Sequence, residues 1–411
     1  MRFVLPVVLV ASISLSSLAA DWPQFRGPLG NGISTEKNLP IQWSETKNVA
    51  WKQDLPGKAW SSPALVKGRL YLTTAVQADG KLSQRALCLN AKDGQIVWNT
   101  EIFSREAASA PGIHGKNSHA SPTPLVDNGR MYVHFGHQGT ACLDLDGKII
   151  WKSEELAFPP VHGNGNSPVL VDGLLIFSCD GASSPFVAAL DAKSGEVRWK
   201  FARESDSAKR FAFATCEVIT VGGKKQVISP GAGVVNALDP ASGKEIWHVN
   251  YDGYSVIPRP VFGQGLIFMS TGYDSPSMLA IRPDGHGDVT DTHVEWTQKK
   301  GAPHTPSPLL IGSELYLVSD GGIATCLDAK TGDVHWSERV GGNFSASPVF
   351  ADGKIYLQDE AGKGTVLKVG KKFQRPGENG FSEKTLASYC VGDGAIFVRT
   401  EERLYKVAGQ K

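Results

Sequence analysis

Beyond its first twenty residues this chain has no apolar run long enough to span a bilayer. It has no excess of charge either: 42 Lys+Arg stand against 41 Asp+Glu, and no basic run is interleaved with aromatics. That balance argues against nucleic acid as a main partner. The six cysteines include no adjacent pair and no C-x-x-C, so cysteine-based redox or metal chemistry is not expected. There is no H-E-x-x-H and no pair of histidines four residues apart. The Gly-rich SPGAGVVN (residues 229–236) opens no helix and reads as a hairpin rather than a phosphate cradle. The acidic DGHGDVTD (residues 284–291) lacks the alternate ligands and final Glu of a calcium loop and reads as a solvated insertion.

What the chain does have is a repeated phrase. LNAKDGQIVW (residues 89–98), LDLDGKIIW (143–151), LDAKSGEVRW (190–199), LDPASGKEIW (238–247) and LDAKTGDVHW (327–336) each place a Gly four residues before a Trp. Self-similarity at this period marks an array of one supersecondary unit. Ahead of each phrase stand a Ser-Pro or Pro-x-Pro step and two apolar runs around a tight turn, as in SPALVKGRLYLTT (residues 62–74) and SPVLVDGLLIFSC (167–179). These read as β-hairpins. With the Leu-Asp strand and the Trp strand they make four antiparallel strands, a propeller blade.

Blades open near Ser61, Ser121, Ser167, Thr215, Arg259, Ser307, Ser347 and Ser388, and the last lacks a Trp strand. NVAWKQDL (residues 48–55) is a Trp strand with no blade ahead of it. Pairing the two closes the ring and removes a free sheet edge. The fold expected is all-β, an eight-bladed β-propeller of four-stranded antiparallel blades closed by the N-terminal strand, with seven blades as the alternative. The fifth copy carries an insertion (residues 282–296) and the seventh has Phe373 where a Trp would fall. The Trp side chains are read as structural, lying against a neighbouring blade while the Gly gives the turn room to tighten. Cys88, Cys142 and Cys326 occupy positions where other copies have Ala189 and Ala237, which makes them small buried strand residues. Asp144, Asp191, Asp239 and Asp328 recur once per copy before the Gly and read as turn formers, not catalytic groups.

Residues 1–20, with Arg2, an apolar stretch and small residues before Asp21, read as a cleavable export signal. No Cys follows the stretch to carry a lipid anchor. Residues 21–47 form an arm and residues 48–411 the propeller. The expected location is the periplasm or the extracellular space.

The repeat, together with DWPQFRGPLGNGIS (residues 21–34), resembles the bacterial PQQ-like β-propeller repeat family over nearly the whole chain. The resemblance implies the propeller fold and two kinds of function. Some members are quinoprotein alcohol dehydrogenases using pyrroloquinoline quinone and calcium. Others are cofactor-free envelope scaffolds, as in outer-membrane assembly. This chain departs from both, having neither the adjacent cysteines of the dehydrogenases nor the anchor cysteine of the scaffold lipoprotein.

In a propeller, the loops that join one blade's outer strand to the next blade's inner strand surround the channel on one face. Here they read GKAWSSP, HGKNSHASP, HGNGNSP, GYSVIPRP, GAPHTPSP and GGNFSASP. Loops on a rigid scaffold are the usual place for function. The candidate ligand cluster is therefore Trp60, Asn117, His119, His162, Asn164, Asn166, Arg259, His304 and Asn343. Aromatics beside polar groups suit a small polar ligand such as a sugar or a quinone. The leading expectation is a non-catalytic exported scaffold that binds an envelope protein or a glycan and needs no cofactor or metal. The alternative is an oxidoreductase with pyrroloquinoline quinone and calcium at the channel mouth.

Overall fold

The computed structural model describes residues 21–409. The expected export signal over residues 1–20 lies outside them. Eight antiparallel sheets are strung in chain order around one axis. The eighth holds Cys390–Gly392, Ala395–Arg399, Arg403–Ala408 and, as its outermost strand, Val49–Asp54 from the other end of the chain. Val49 pairs with Val407 and Asp54 with Arg403. Arg399 spans the seam from inside, its guanidinium donating to the Ser61 and Thr73 carbonyls of the first blade at 3.2 and 2.9 Å. The ring has eight blades, and the N-terminal strand closes it.

The Gly and Trp of the repeat are partners across blades rather than within one. Trp51, Trp98, Trp151, Trp199, Trp296 and Trp336 each donate Nε1–H to a turn carbonyl of the next blade, at 2.9–3.2 Å. For all but Trp336, which meets Phe373 instead, the repeat glycine of that next blade lies beneath the indole. A Cβ on Gly195 would stand 2.5 Å from Trp151, and one on Gly147 would stand 2.7 Å from Trp98. Both glycines also hold φ near +80° (Gly195 +80°, Gly147 +86°), a region that carries no penalty only without a Cβ. The sequence-level expectation of a Gly that merely eases its own turn is corrected: it makes room for the preceding blade's Trp. Each Trp strand is bulged beside its indole, and a small residue stands opposite, as in Cys88 against Trp98, Cys142 against Trp151 and Ala189 against Trp199. All six cysteines are buried and free. The repeat aspartates close their turns, Asp191 Oδ1 accepting the Lys193 and Ser194 amides at 2.8 and 3.1 Å.

Two copies depart from the pattern. The insertion of the fifth adds Gly287–Asp288 as a parallel fifth strand on the edge of the fourth blade. It covers that edge with Val289 buried, while Asp284, His286, Gly287 and Asp288 stay exposed to solvent as expected of a solvated insertion. In the seventh blade the outer strand, Gly377–Gly380, bears no aromatic residue, and Phe373 packs on Trp336. Trp43 from the arm is buried there between Tyr356 and Tyr389, 6.4 Å from each ring.

The arm crosses the face opposite the channel mouth. Trp22 bridges to Leu65 of the first blade, Pro23 accepts the Val126 amide, and Ile33 bridges to Phe350 of the seventh. Midway, the buried Arg26 donates to the Asn31 carbonyl at 2.9 Å and to the Pro308 carbonyl at 2.7 Å. The central channel is thereby plugged at this end.

Candidate functional site

The Ser-Pro steps supply the wall of the site. At six of the eight blade starts a hydroxyl accepts the amide N–H of the equivalent residue one blade back. Thr123 serves Ser62 at 3.0 Å, Ser167 serves Thr123 at 2.9 Å, Thr215 serves Ser167 at 2.9 Å, Ser347 serves Ser307 at 3.0 Å and Ser388 serves Ser347 at 2.9 Å. The amides of these inner strand ends, which would otherwise face the channel unpaired, are satisfied this way. The fifth blade breaks the girdle. Its start is Arg259, which donates Nε–H to the Glu217 carboxylate at 2.7 Å and Nη1–H to the Phe25 carbonyl at 3.0 Å.

Above the plug the girdle encloses a cup of about 280 Å³ with Phe25 among its lining residues. Its upper lining is aromatic. His114 meets His162 at 5.5 Å between ring centres, His162 meets Phe211 at 5.3 Å, and Phe211 meets Tyr254 at 5.6 Å. Trp60, Phe213 and Tyr273 complete it. Two buried polar atoms of the lining residues, Trp60 Nε1 and Thr305 Oγ1, have no hydrogen-bond partner. No carboxylate lines the cup. Among the described residues no group of three His, Cys, Asp or Glu side chains is placed to hold a metal ion.

Of the nine residues singled out from the sequence, Trp60, Asn117 and His162 line the cup. The other six do not converge with them. Arg259 is buried beneath the wall in its pair with Glu217. Asn166 is buried and donates to the Ser178 carbonyl at 3.0 Å. Asn164 turns into the second blade, its Nδ2 3.1 Å from His137 Nδ1. His119 is half-buried, with Arg105 near enough to help burial lower its pKa. His304 packs its ring 4.7 Å from Tyr273, with its own amide donating to Asp320. Asn343 is exposed outside the cup.

The sequence reading missed Phe211, Phe213, Tyr273 and Lys116. The first two lie in the loop before the fourth blade, which has no Ser-Pro step to align. Tyr273 comes from a loop between second and third strands, which reaches the same face.

His134 and His137 lie outside the cup and answer to pH. His134 is fully buried, its Nδ1 2.9 Å from Thr140 Oγ1 and its ring centre 4.1 Å from that of Phe177. Burial, with the nearby His137, lowers its pKa from 6.5 to about 3. Burial, with Arg105 and His119, takes His137 to about 4. The unfolded chain takes up these protons near the ordinary value and the folded chain only well below it. Between those limits the unfolded state holds more protons, so stability falls as pH drops. Acidifying from about pH 7 to about pH 4 is expected to remove on the order of 3 kcal/mol through His134 alone. Urea midpoints against pH check this: His134→Gln flattens the slope, and an unchanged slope refutes it.

Comparison with known proteins gives a consistent family signal. The family model described as outer membrane protein assembly factor BamB matches residues 33–101, 75–229 and 231–372. The dehydrogenase subunit of alcohol dehydrogenase (quinone) from Gluconobacter oxydans is 23% identical over 297 residues, 65% of this chain and 34% of that protein. Outer membrane protein assembly factor BamB from Yersinia pestis is 25% identical over 233 residues, 51% of each chain. The chain's matches thus span about a third and about half of these two curated relatives. The crystal structure of BamB from Moraxella catarrhalis superposes with a TM-score of 0.61 at 13% identity, covering 87% of this chain and 96% of that one. At that identity the likeness is one of fold.

Proposed function

Because the chain belongs to the PQQ-like propeller family described as outer membrane protein assembly factor BamB, we propose that it is an exported, non-catalytic binding propeller of the cell envelope that holds a glycan at its channel mouth. The observation that carries this reading is the cup itself: plugged below, hydroxyl-walled, and lined above by Trp60, His114, His162, Phe211, Tyr254 and Tyr273. Aromatic faces beside a few convergent polar groups offer both the apolar faces and the hydroxyls of a sugar a partner. No helix among the described residues is long and apolar enough to cross a membrane.

The oxidoreductase alternative requires pyrroloquinoline quinone held with calcium, a hard cation that takes oxygen ligands, with carboxylates foremost. The cup supplies no carboxylate, and the six cysteines are buried singly in strands or at their starts. These residues do not fit that cofactor pair.

Tryptophan fluorescence and thermal shift of the purified protein test the two readings together. Oligosaccharides from an envelope-glycan panel are expected to bind saturably, and about tenfold more weakly to Tyr254→Ala, which loses one stacking face. Saturable stabilisation by pyrroloquinoline quinone with calcium, and by no sugar, overturns the proposal.

A further inference from the structure

The cup carries an internal clue to the charge of its ligand. Lys116 is its one lining ammonium, on the loop that leads from the first blade to the second. This loop is tied to its neighbour at His162, whose carbonyl accepts from the His114 amide at 3.1 Å and from Asn117 Nδ2 at 2.8 Å. Lys116 reaches from there to the seventh blade, where its Nζ meets Glu360 Oε1 at 2.7 Å. Ser345, itself part of the lining, holds the same carboxylate oxygen at 2.6 Å. The pair thus ties the second-blade loop to the seventh blade beside the cup, and the Lys116 side chain remains 39% exposed. An ion pair open to water on one side exchanges partners at little cost.

The surroundings favour an anion over a neutral guest. The lining holds Lys116, His114 and His162 and no acid. Two further ammoniums, of Lys58 and Lys384, lie 5.7 and 5.9 Å from the Trp60 ring centre. Lys58 is paired with Glu401, whereas Lys384 has no carboxylate within ion-pair distance among the described residues. Hydroxyl groups of the girdle add donors for sugar oxygens.

We infer that the glycan is acidic, a uronic-acid-containing oligosaccharide whose carboxylate replaces Glu360 on Lys116 while its ring lies against the aromatic lining. In this arrangement Glu360 is a built-in competitor that holds Lys116 in place until the ligand arrives. The inference rests on the glycan reading above and adds the charge and the residue that reads it.

The test uses the whole protein, calorimetry, and two probes of one shape: a galacturonate tetramer and the same tetramer methyl-esterified at each carboxyl. A panel of neutral oligosaccharides runs beside them. The free acid is expected to bind, with affinity falling as salt rises, and the ester about tenfold more weakly. Lys116→Gln should lose about tenfold for the acid alone, and Glu360→Gln should bind the acid a few-fold more tightly because its competitor is gone. Lys116 is exposed at the mouth and Glu360 largely buried beside it, and equal melting temperatures verify that each variant folds. Equal binding of acid and ester, indifference to Lys116→Gln, or binding of neutral sugars alone overturns the inference and leaves the glycan reading standing. Binding of nothing in the panel overturns both.

Discussion

Arg259→Ala is expected to destabilise the protein by about 3–5 kcal/mol, the typical cost of stranding one member of a buried ion pair. Glu217 is only 7% exposed, and Arg259 only 3%. Removing the guanidinium leaves a carboxylate with no partner except the more distant Arg26, and it frees the Phe25 carbonyl above the plug. Burial already raises the pKa of Glu217 against the pull of Arg259, so the variant's carboxyl should be protonated on folding. Its stability should then fall further as pH rises, because the unfolded chain releases a proton that the folded chain keeps. Urea unfolding measures the loss. The double variant Arg259→Met, Glu217→Leu separates pairing from packing. Replacing both charges with apolar groups should recover most of the stability, and failure to recover would place the arginine's contribution in its hold on the plug.

Trp247→Ala should cost about 3–5 kcal/mol, at the upper end for core substitutions, and clearly more than Trp151→Ala or Trp199→Ala. The sister tryptophans on the other outer strands are mostly half-buried, but Trp247 is fully enclosed beneath the extra strand of residues 287–288. Its Nε1–H lies 2.9 Å from Gln226 Oε1 and 3.2 Å from the Pro283 carbonyl. Truncation therefore opens a cavity and leaves the buried Gln226 Oε1 without its donor, while the Pro283 carbonyl keeps Gln226 Nε2 at 3.1 Å. A urea midpoint that falls no further than in the two sister variants would show that the insertion contributes nothing to the packing of this edge.

Both expectations concern features that the sequence displayed but did not explain. The blade count and the closing strand were legible because the phrase recurs, and Trp51 was a Trp strand without a blade. The Gly and Trp were legible as a pair but assigned to the wrong pairing. Their spacing along the chain is constant, whereas the contact runs from one copy to the next, and periodicity alone does not distinguish the two. The arm was expected to pack across one face and brace the ring, as it does, but it occurs once, has no period, and so gave no sign that Arg26 would anchor it over the channel.

The site was read less well for a related reason. Aligning loops fixes where a residue leaves the wall, not where its side chain goes. Asn164 and Asn166 follow His162, which holds φ +62°, and both turn away from the cup. Arg259 was chosen as a polar residue in a functional loop. The stronger signal was its place in the register: it stands where other blades put a hydroxyl that serves a buried amide, so it faces inward and needs a buried countercharge.

The seam that closes the ring also sets a schedule. Val49–Asp54 is the first of the described strands in chain order, yet its partner, Arg403–Ala408, is the last of them. The Arg403–Asp54 contact joins residues 349 apart, which makes it among the slowest contacts for a searching chain to form. Until those two strands pair, every intermediate is an open crescent with one unpaired strand edge at each horn. Two crescents can satisfy each other's horns as readily as their own, so crowding of chains with unclosed rings should yield exchanged dimers. For this molecule, closing the ring and losing its last free strand edges are the same event.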